Sequence, residues 1–439
     1  MKIAITFPNH WAIKNILHSG VAARLQAQAE IIGIADPSRI PHLEGLVREL
    51  GLRPIEWHGY QPQPESSNLT RVRKLQKSLV FESQGVATER ILQKKGQRSR
   101  AERIVGSILR FVASTPFSPQ LANSVSKKRW DLTAVGALPK ADLLFTTNPV
   151  DFREDPLIKA AKLVDMPVAT MIPSWDNLST KGVLFTDFDE VYVWNEVMQA
   201  EVLSLLSSLS VSQVPIVGIP RFGVYEGAQG IGPGPKQILF ANTATKSCPD
   251  QPAVARHLAE ALNEGAFGDA QLTIRCHPHD QPADYAFLRN YANVYVWPEL
   301  AESYGVETVP PADDLTVLRR MMQSADVCVN CASTIVLDAA ANDVPIVSVA
   351  YDGDRELPEN ISVRKFYQFT HQQPYVESGA GQMAYGRAEL IEAIRFALGH
   401  PEDRRSERAA LARLATQGQP EIRLAEALLN CAGAIRSAA

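Results

Sequence analysis

The opening of the chain constrains its fold more than any other stretch. Lys2 to Phe7 is an apolar run of strand length, Pro8-Asn9-His10 is a turn, the stretch through Leu25 is helical, and Glu30 to Ala35 is a second strand. Strand, turn, helix and strand at this spacing form a βαβ unit, the element from which a doubly wound parallel sheet is built. Short apolar runs continue the pattern at Asp142 to Thr147, Pro167 to Ile172, Glu190 to Trp194 and Val214 to Ile219, each followed by turn chemistry. A second series then begins at Gln237 to Ala241 and runs through Gln271 to Cys276, Val294 to Trp297, Asp326 to Asn330 and Pro345 to Ala350. Between the two series, Gly223 to Pro235 is rich in Gly and Pro, the composition of a linker.

The expectation is an α/β chain of two Rossmann-like doubly wound domains facing across a cleft. The first spans residues 1–222 and the second 236–400, with C-terminal helices over 401–439 that could close back on the first domain. A length of 439 residues exceeds one ordinary core, and 45% hydrophobic with 21% charged residues is normal globular composition. The net charge of −4 argues against nucleic acid as a partner of the whole chain. The start turns polar at Asn9 and His10, too early for a signal peptide, and no run of roughly 18 apolar residues offers a membrane span. Five cysteines without an export signal read as reduced thiols, which suggests the cytoplasm. One segment stands apart: residues 71–110 are strongly basic with interleaved apolar residues, as in amphipathic helices. Such a segment suits peripheral contact with the inner membrane face or an anionic acceptor, and suits equally a solvated helical insertion packed on the sheet.

Doubly wound sheets bind ligands outside the carboxyl ends of their strands, so the chemistry is sought in the loops that follow predicted strands. After the first strand, Asn9 and His10 precede Trp11; His10 can take a proton from an acceptor hydroxyl, or simply cap the helix and orient Trp11. After Ile172 comes Ser174-Trp175-Asp176-Asn177, with Lys181 further on. Trp175 offers a flat face, Asp176 a base or hydroxyl acceptor, Ser174 and Asn177 further hydrogen bonds, and Lys181 a partner for phosphate. The competing account is a purely structural turn closed by Gly182.

In the second half, Arg275-Cys276-His277-Pro278 leaves its strand with a histidine positioned to donate to a phosphate oxygen. Ser333 and Thr334 precede an Ala-rich helix, where they serve a phosphate or act as ordinary N-caps. Asn242 and Thr243 form another anion-friendly loop. His277, His279 and Asp280 lack metal-ligand spacing, and Cys328-x-x-Cys331 has no second pair, so neither a metal nor a cofactor is expected. No Gly-x-Gly-x-x-Gly and no Walker lysine motif follows a first strand, which disfavours nicotinamide, flavin and ATP.

With these residues assembled, the chain resembles the GT-B glycosyltransferase superfamily over nearly its full length, and within it the bacterial surface-polysaccharide transferases. Arg275-x-His277-Pro278 together with Ser333-Thr334 is similar to the HP and Ser/Thr motifs of bacterial sialyltransferases and Kdo transferases, and of CDP-glycerol glycerophosphotransferases. The resemblance implies that His277, Ser333 and Thr334 hold the donor phosphates, and that His10 matches the catalytic histidine of inverting UDP-sugar transferases. The sequence departs from the family in lacking a Gly-Gly-x-x-Glu donor signature, since Ala332-Ser333-Thr334 stands there with Asp338 further along, and in lacking an evident acidic base motif. The implied activity is transfer of a sugar from a nucleotide-sugar donor to a lipid-linked or polysaccharide acceptor. The alternatives are glycerophosphate transfer, nucleotide-sugar 2-epimerisation, and a non-catalytic role in a polysaccharide assembly complex.

Overall fold

The computed structural model describes residues 1–62, 138–182, 188–206, 208–225, 234–245, 247–278, 280–298, 309–416 and 418–436, with scattered positions between 70 and 91. The chain divides into two compact units. The first comprises Met1–Gly223, Glu307–Ala312 and Gln417–Ala439, and the second Val224–Val306 and Asp313–Thr416.

The first unit is built on a six-stranded parallel sheet of order β3-β2-β1-β4-β5-β6. Its strands are β1 (Lys2–Thr6), β2 (Glu30–Ala35), β3 (Glu56–Gly59), β4 (Leu143–Thr146), β5 (Val168–Met171) and β6 (Glu190–Tyr192). Strands β1, β4 and β5 are buried along almost their whole length, as a sheet covered on both faces demands, and their near-continuous apolar sequences follow from it. Among the described residues the core joins Ile3, Ile5 and Phe7 to Leu143, Phe145, Met171 and Tyr192. Gly33 lies where any Cβ would strike the Trp57 ring of neighbouring β3, so this position of β2 requires glycine.

The first crossover is not the single helix its pattern predicts. It begins as α1 (His10–Ile13), widens into a π-helix over Lys14–His18, stops at Gly20, and resumes as α2 (Val21–Gln26). Gly20 has φ +90°, a left-handed conformation that breaks the helix and that glycine adopts without penalty. The run Val214 to Ile219, expected as a strand, forms only an isolated bridge between Ile216 and Val193. Pro215 and Pro220 bring no backbone N–H, and Gly218 has φ +80°, so the segment cannot sustain a ladder.

The second unit repeats the plan. Its sheet has the order β12-β11-β10-β7-β8-β9 and every pairing is parallel. The strands are β7 (Gln237–Ala241), β8 (Gln271–Arg275), β9 (Val294–Trp297), β10 (Val327–Asn330), β11 (Ile346–Val349) and β12 (Gly381–Ala384). Counted within the unit, the order is 3-2-1-4-5-6 read from the opposite edge, the dinucleotide-fold arrangement seen in the first unit. Both central pairs are clasped at their amino ends by an aspartate. Asp142 Oδ2 accepts the Lys2 backbone N–H at 2.7 Å, and Asp326 Oδ2 accepts that of Gln237 at 2.8 Å.

Past the second sheet, α11 (Arg387–Gly399) covers β11 and β12, and α12 (Arg405–Ala412) lies on α9 (Ile335–Ala341). The last helix, α13 (Pro420–Arg436), belongs to the first unit, where it packs on α2 and sends Leu424 and Leu428 into the core. The tail is thus divided, with α12 in one unit and α13 in the other. The linker expectation falls largely on residues 226–233, outside the described residues, as does most of the basic segment. Of that segment, Arg73 pairs with Asp155 and Lys77 donates to the Thr180 carbonyl, contacts with the first unit itself. No helix among the described residues is long and apolar enough to cross a membrane.

Because Leu428 is fully buried, Leu428→Ala is expected to lower the stability of the first unit by about 2–5 kcal/mol. Denaturant unfolding followed by tryptophan fluorescence reads this directly. An unchanged midpoint would contradict the packing of α13 in that core.

Candidate functional site

In the second unit the loops leaving β7 and β8 are joined by one buried carboxylate. Asp280 Oδ2 accepts from Asn242 Nδ2 at 2.9 Å and from the Tyr285 hydroxyl at 2.7 Å, while Oδ1 accepts from Thr245 at 2.9 Å. Asn242 Nδ2 also donates to the Tyr285 oxygen at 2.6 Å, and Gln251 holds Thr243 through both its N–H and its carbonyl. Burial and the Asp280 charge push the Tyr285 hydroxyl far above the ordinary tyrosine range, so it stays a donor. Asn242 and Thr243 are therefore parts of a fixed frame, although Asn242 Oδ1 is buried without a hydrogen-bond partner. Arg275 lays its guanidinium over Trp297, 4.5 Å from the ring centre. His277 is half-buried at the head of the next turn, and its carbonyl accepts from the Asp280 N–H at 2.8 Å.

The turn after β10 is strained and propped. Ala332 has φ +47°, a left-handed conformation that costs a residue with a Cβ about 1–3 kcal/mol unless its surroundings impose it. Tyr367 imposes it: its hydroxyl accepts the Ala332 N–H at 2.9 Å and donates to the Val349 carbonyl at 2.9 Å. Buried Asn330 closes the base, accepting from the Ser333 N–H at 3.4 Å and donating to Ser348 at 3.1 Å. Ser333 and Thr334 emerge half-buried at the amino end of α9. Ser333 Oγ accepts from the Ile335 N–H at 3.4 Å, and Thr334 makes no side-chain capping bond. Asp338 is turned inward, where it accepts from the Tyr225 hydroxyl at 2.8 Å.

In the first unit, Asn9 caps α1 by accepting from the N–H groups of Trp11 at 3.0 Å and Ala12 at 3.4 Å. His10, the first residue of that helix, is buried, with its ring 5.1 Å from that of Trp11, and Arg221 lies over the Trp11 ring at 5.4 Å. After β5, Ser174, Trp175 and Asn177 are buried, Asp176 is half-buried, and Lys181 is exposed beyond the short helix α5 (Asn177–Thr180). Trp175 is therefore an internal wall rather than an open face. Both polar atoms of the Asn177 side chain are buried without a hydrogen-bond partner, as is Asn15 Oδ1 on the π-helix after β1.

Two carboxyls escaped the sequence reading. Glu201, on α6 (Glu196–Leu205), is pushed up to about 7 by burial and by the neighbouring Asp176. Glu154 sits at the switch point where the sheet order reverses between β1 and β4. Its Oε1 accepts from the Thr6 hydroxyl and the Thr147 N–H, and its Oε2 from the Asn148 N–H at 2.9 Å. Burial raises it to about 8 against the pull of these bonds. Glu154 follows Asp151-Phe152-Arg153 in a charged run that reads as surface, so only the pairing of β4 with β1 reveals its burial. The thiols are inert by comparison: all five cysteines are free and buried, and burial drives Cys276 and Cys431 up to about 12.

The two sheets define the class: the fold is GT-B-like, with two Rossmann-like domains in one chain. Among solved structures the chain is similar to the UDP-GlcNAc 2-epimerase of Methanocaldococcus jannaschii, with a TM-score of 0.55 and 12% identity over 98% of this chain and 99% of that one. It is similar also to a putative UDP-N-acetylglucosamine 2-epimerase from Listeria monocytogenes, with a TM-score of 0.57 and 9% identity over 98% and 96%. A third is the Neisseria meningitidis UDP-GlcNAc 2-epimerase bound to UDP-GlcNAc, with a TM-score of 0.56 and 12% identity over 98% and 100%. Identities this low establish the fold. No protein-family model matches the sequence, and no curated protein is significantly similar to it.

The raised carboxyls carry a pH dependence whose sign follows from their direction. Glu154 and Glu201 bind protons more tightly in the folded state than at the ordinary 4.5, so their stabilising contribution is full below that value and is lost as pH rises through about 7 and 8. The first unit is expected to lose stability from about pH 5 to 8, and Glu154→Gln to flatten that slope. Denaturant midpoints measured across this range test it, and identical slopes in the two proteins would contradict the assignment.

Proposed function

We propose that the protein is an enzyme acting on a nucleotide sugar, and that it transfers the sugar to a surface-polysaccharide or lipid-linked acceptor. The observation that carries the reading is a shared geometry. Each sheet has the 3-2-1-4-5-6 order, and the candidate groups of each lie at the carboxyl ends of its strands, where such sheets take ligands. On the donor side, Ser333 and Thr334 present hydroxyls and His277 a ring nitrogen suited to phosphate oxygens, with Arg275 nearby in sequence and held by Trp297. Such donors stabilise the charge that gathers on the leaving diphosphate or monophosphate as the glycosidic bond breaks. On the acceptor side, His10 or Asp176 removes the hydroxyl proton, with Ser174, Trp175, Asn177, Asn9 and Lys181 forming the surroundings. Glu201, raised to about 7 beside Asp176, is poised to relay that proton at neutral pH. This assigns transfer to the cytoplasmic side of the cell envelope, with no metal or cofactor required.

A specific observation also favours 2-epimerisation. Of the three solved structures named above, two are 2-epimerases, one of these bound to UDP-GlcNAc, and the third is named as a putative one, and Glu154 and Glu201 supply carboxyl groups that the sequence reading did not find. A CDP-linked glycerophosphate donor would use the same phosphate loops.

A thermal-shift screen of the full chain against CMP, CDP, UDP, GDP and dTDP tests the reading. One nucleotide is expected to stabilise by about 2.7 kcal/mol at a hundredfold excess over its Kd, and Ser333→Ala/Thr334→Ala to remove most of the shift. Incubation with the matching nucleotide sugar then separates the activities: acceptor-dependent release of nucleotide means transfer, and solvent deuterium at C2 of the sugar means epimerisation. Absence of any nucleotide shift would sink both and favour a non-catalytic partner in polysaccharide assembly.

A further inference from the structure

The first unit holds a cavity of about 230 Å³ that shares Glu154 with the epimerisation reading and no residue with the groups assigned to transfer. It opens at the carboxyl ends of β1 and β2 and beside Tyr60, which directly follows β3. Its lining combines apolar Phe7, Ile34 and Leu157 with polar Asp36, Ser38, Arg39, Tyr60, Arg153 and Glu154.

Each polar group has a defined state. Asp36 is the first residue after β2, and Ser38 binds its Oδ1 twice, through the N–H at 2.9 Å and the hydroxyl at 2.6 Å. Those bonds hold the Asp36 carboxyl below the usual carboxylate range, so it is charged at neutral pH, and they leave Oδ2 outside the Ser38 turn. Arg153 is clamped onto Asp151, with Nε at 2.9 and 3.0 Å from its two oxygens and Nη2 at 2.6 Å from Oδ2. Arg39 donates to the Phe7 carbonyl at 3.0 Å, and the Tyr60 hydroxyl donates to the Arg153 carbonyl at 3.0 Å.

The charges therefore balance around the cavity. An anion meets the Asp36 carboxylate and a cation meets the Arg39 guanidinium, while Arg153 is already neutralised by Asp151 and Glu154, raised to about 8, is uncharged at neutral pH. What gains from such a lining is a neutral ligand with several hydroxyls, for which a carboxylate is a strong acceptor and a guanidinium a strong donor. The apolar lining residues suit the C–H groups of a ring, and the volume falls below the roughly 300–1,000 Å³ of pockets for drug-sized ligands. We propose that this cavity is a binding site for a single neutral sugar ring, with the Asp36 carboxylate as its principal hydrogen-bond acceptor. The site belongs to the first unit alone and stands whether or not the second unit binds a nucleotide.

Saturation-transfer NMR on the full chain tests it with methyl glucoside, methyl galactoside and N-acetylglucosamine, set against glucose 1-phosphate, glucuronate and inorganic phosphate. At least one neutral sugar is expected to bind at millimolar concentration and the anions to be excluded. Asp36→Asn is expected to weaken binding about tenfold, the loss of one hydrogen bond to a charged acceptor, with the thermal transition unchanged. Pro62→Trp, at the cavity lining, closes the site by bulk and is expected to abolish binding. Thr334→Ala, in the other unit, leaves it intact. The proposal is overturned if no neutral sugar binds, if the anions bind in preference, or if Asp36→Asn binds as the wild type does. Nucleotide-induced thermal shifts in Asp36→Asn keep this outcome separate from the nucleotide reading, since they depend on the second unit only.

Discussion

The pairing of β1 with both β2 and β4, and of β7 with both β8 and β10, decides where this molecule can tolerate polar side chains. A parallel sheet covered on both faces keeps its strands mainly apolar, and here Ile3, Ile5, Phe145, Phe240 and Val329 are fully buried, while the buried polar groups Thr6, Asn330 and Ser348 stand at or next to the carboxyl ends of their strands. Where the sheet order reverses, the crossovers leave to opposite faces and the strand ends open onto loops. Glu154, Thr6 and Thr147 meet at that point in the first sheet, and in the second Asn330 ends β10 while Asn242 and Ser333 come from the loops beside it. The polar networks on which any chemistry depends are thus consequences of strand order.

Those networks also explain why the candidate groups differ in freedom. Asp280 fixes Asn242, Thr245 and Tyr285 in one frame, and a buried network is stable when its members satisfy one another. The turn at Ala332 is strained, yet Tyr367 and Asn330 prop it from below and deliver Ser333 and Thr334 forward. Rigid support beneath half-buried hydroxyls is what positioning an anion requires, because hydrogen bonds prepared in advance need no reorganisation when charge develops. In the first unit the side chains of Asn177 and Asn15 have buried atoms without hydrogen-bond partners, an expensive arrangement in a site that binds nothing.

Much of this was legible in the sequence wherever burial is continuous. Strands β2, β7 and β9 fall where the apolar runs place them, and β1, β4, β5, β8, β10 and β11 within a residue or two. What escaped did so for local reasons. The edge strands β3, Glu-Trp-His-Gly, and β12, Gly-Gln-Met-Ala, are too short and too polar to signal a strand, because a sheet edge need not bury both faces. The break in the first crossover rests on one glycine conformation. The loops after β5, β8 and β10 stand out in the sequence because polar residues crowd immediately after apolar runs. Glu154 and Glu201 were missed because each acquires its environment from segments distant in the chain.

The most direct test of the account is a crystal structure of the protein soaked with the nucleoside diphosphate that stabilises it. The account predicts phosphate density within hydrogen-bond reach of the Ser333 and Thr334 hydroxyls, at the carboxyl end of β10. Diphosphate bound at the amino ends of the strands beside Asp326, or in the first domain, would contradict it.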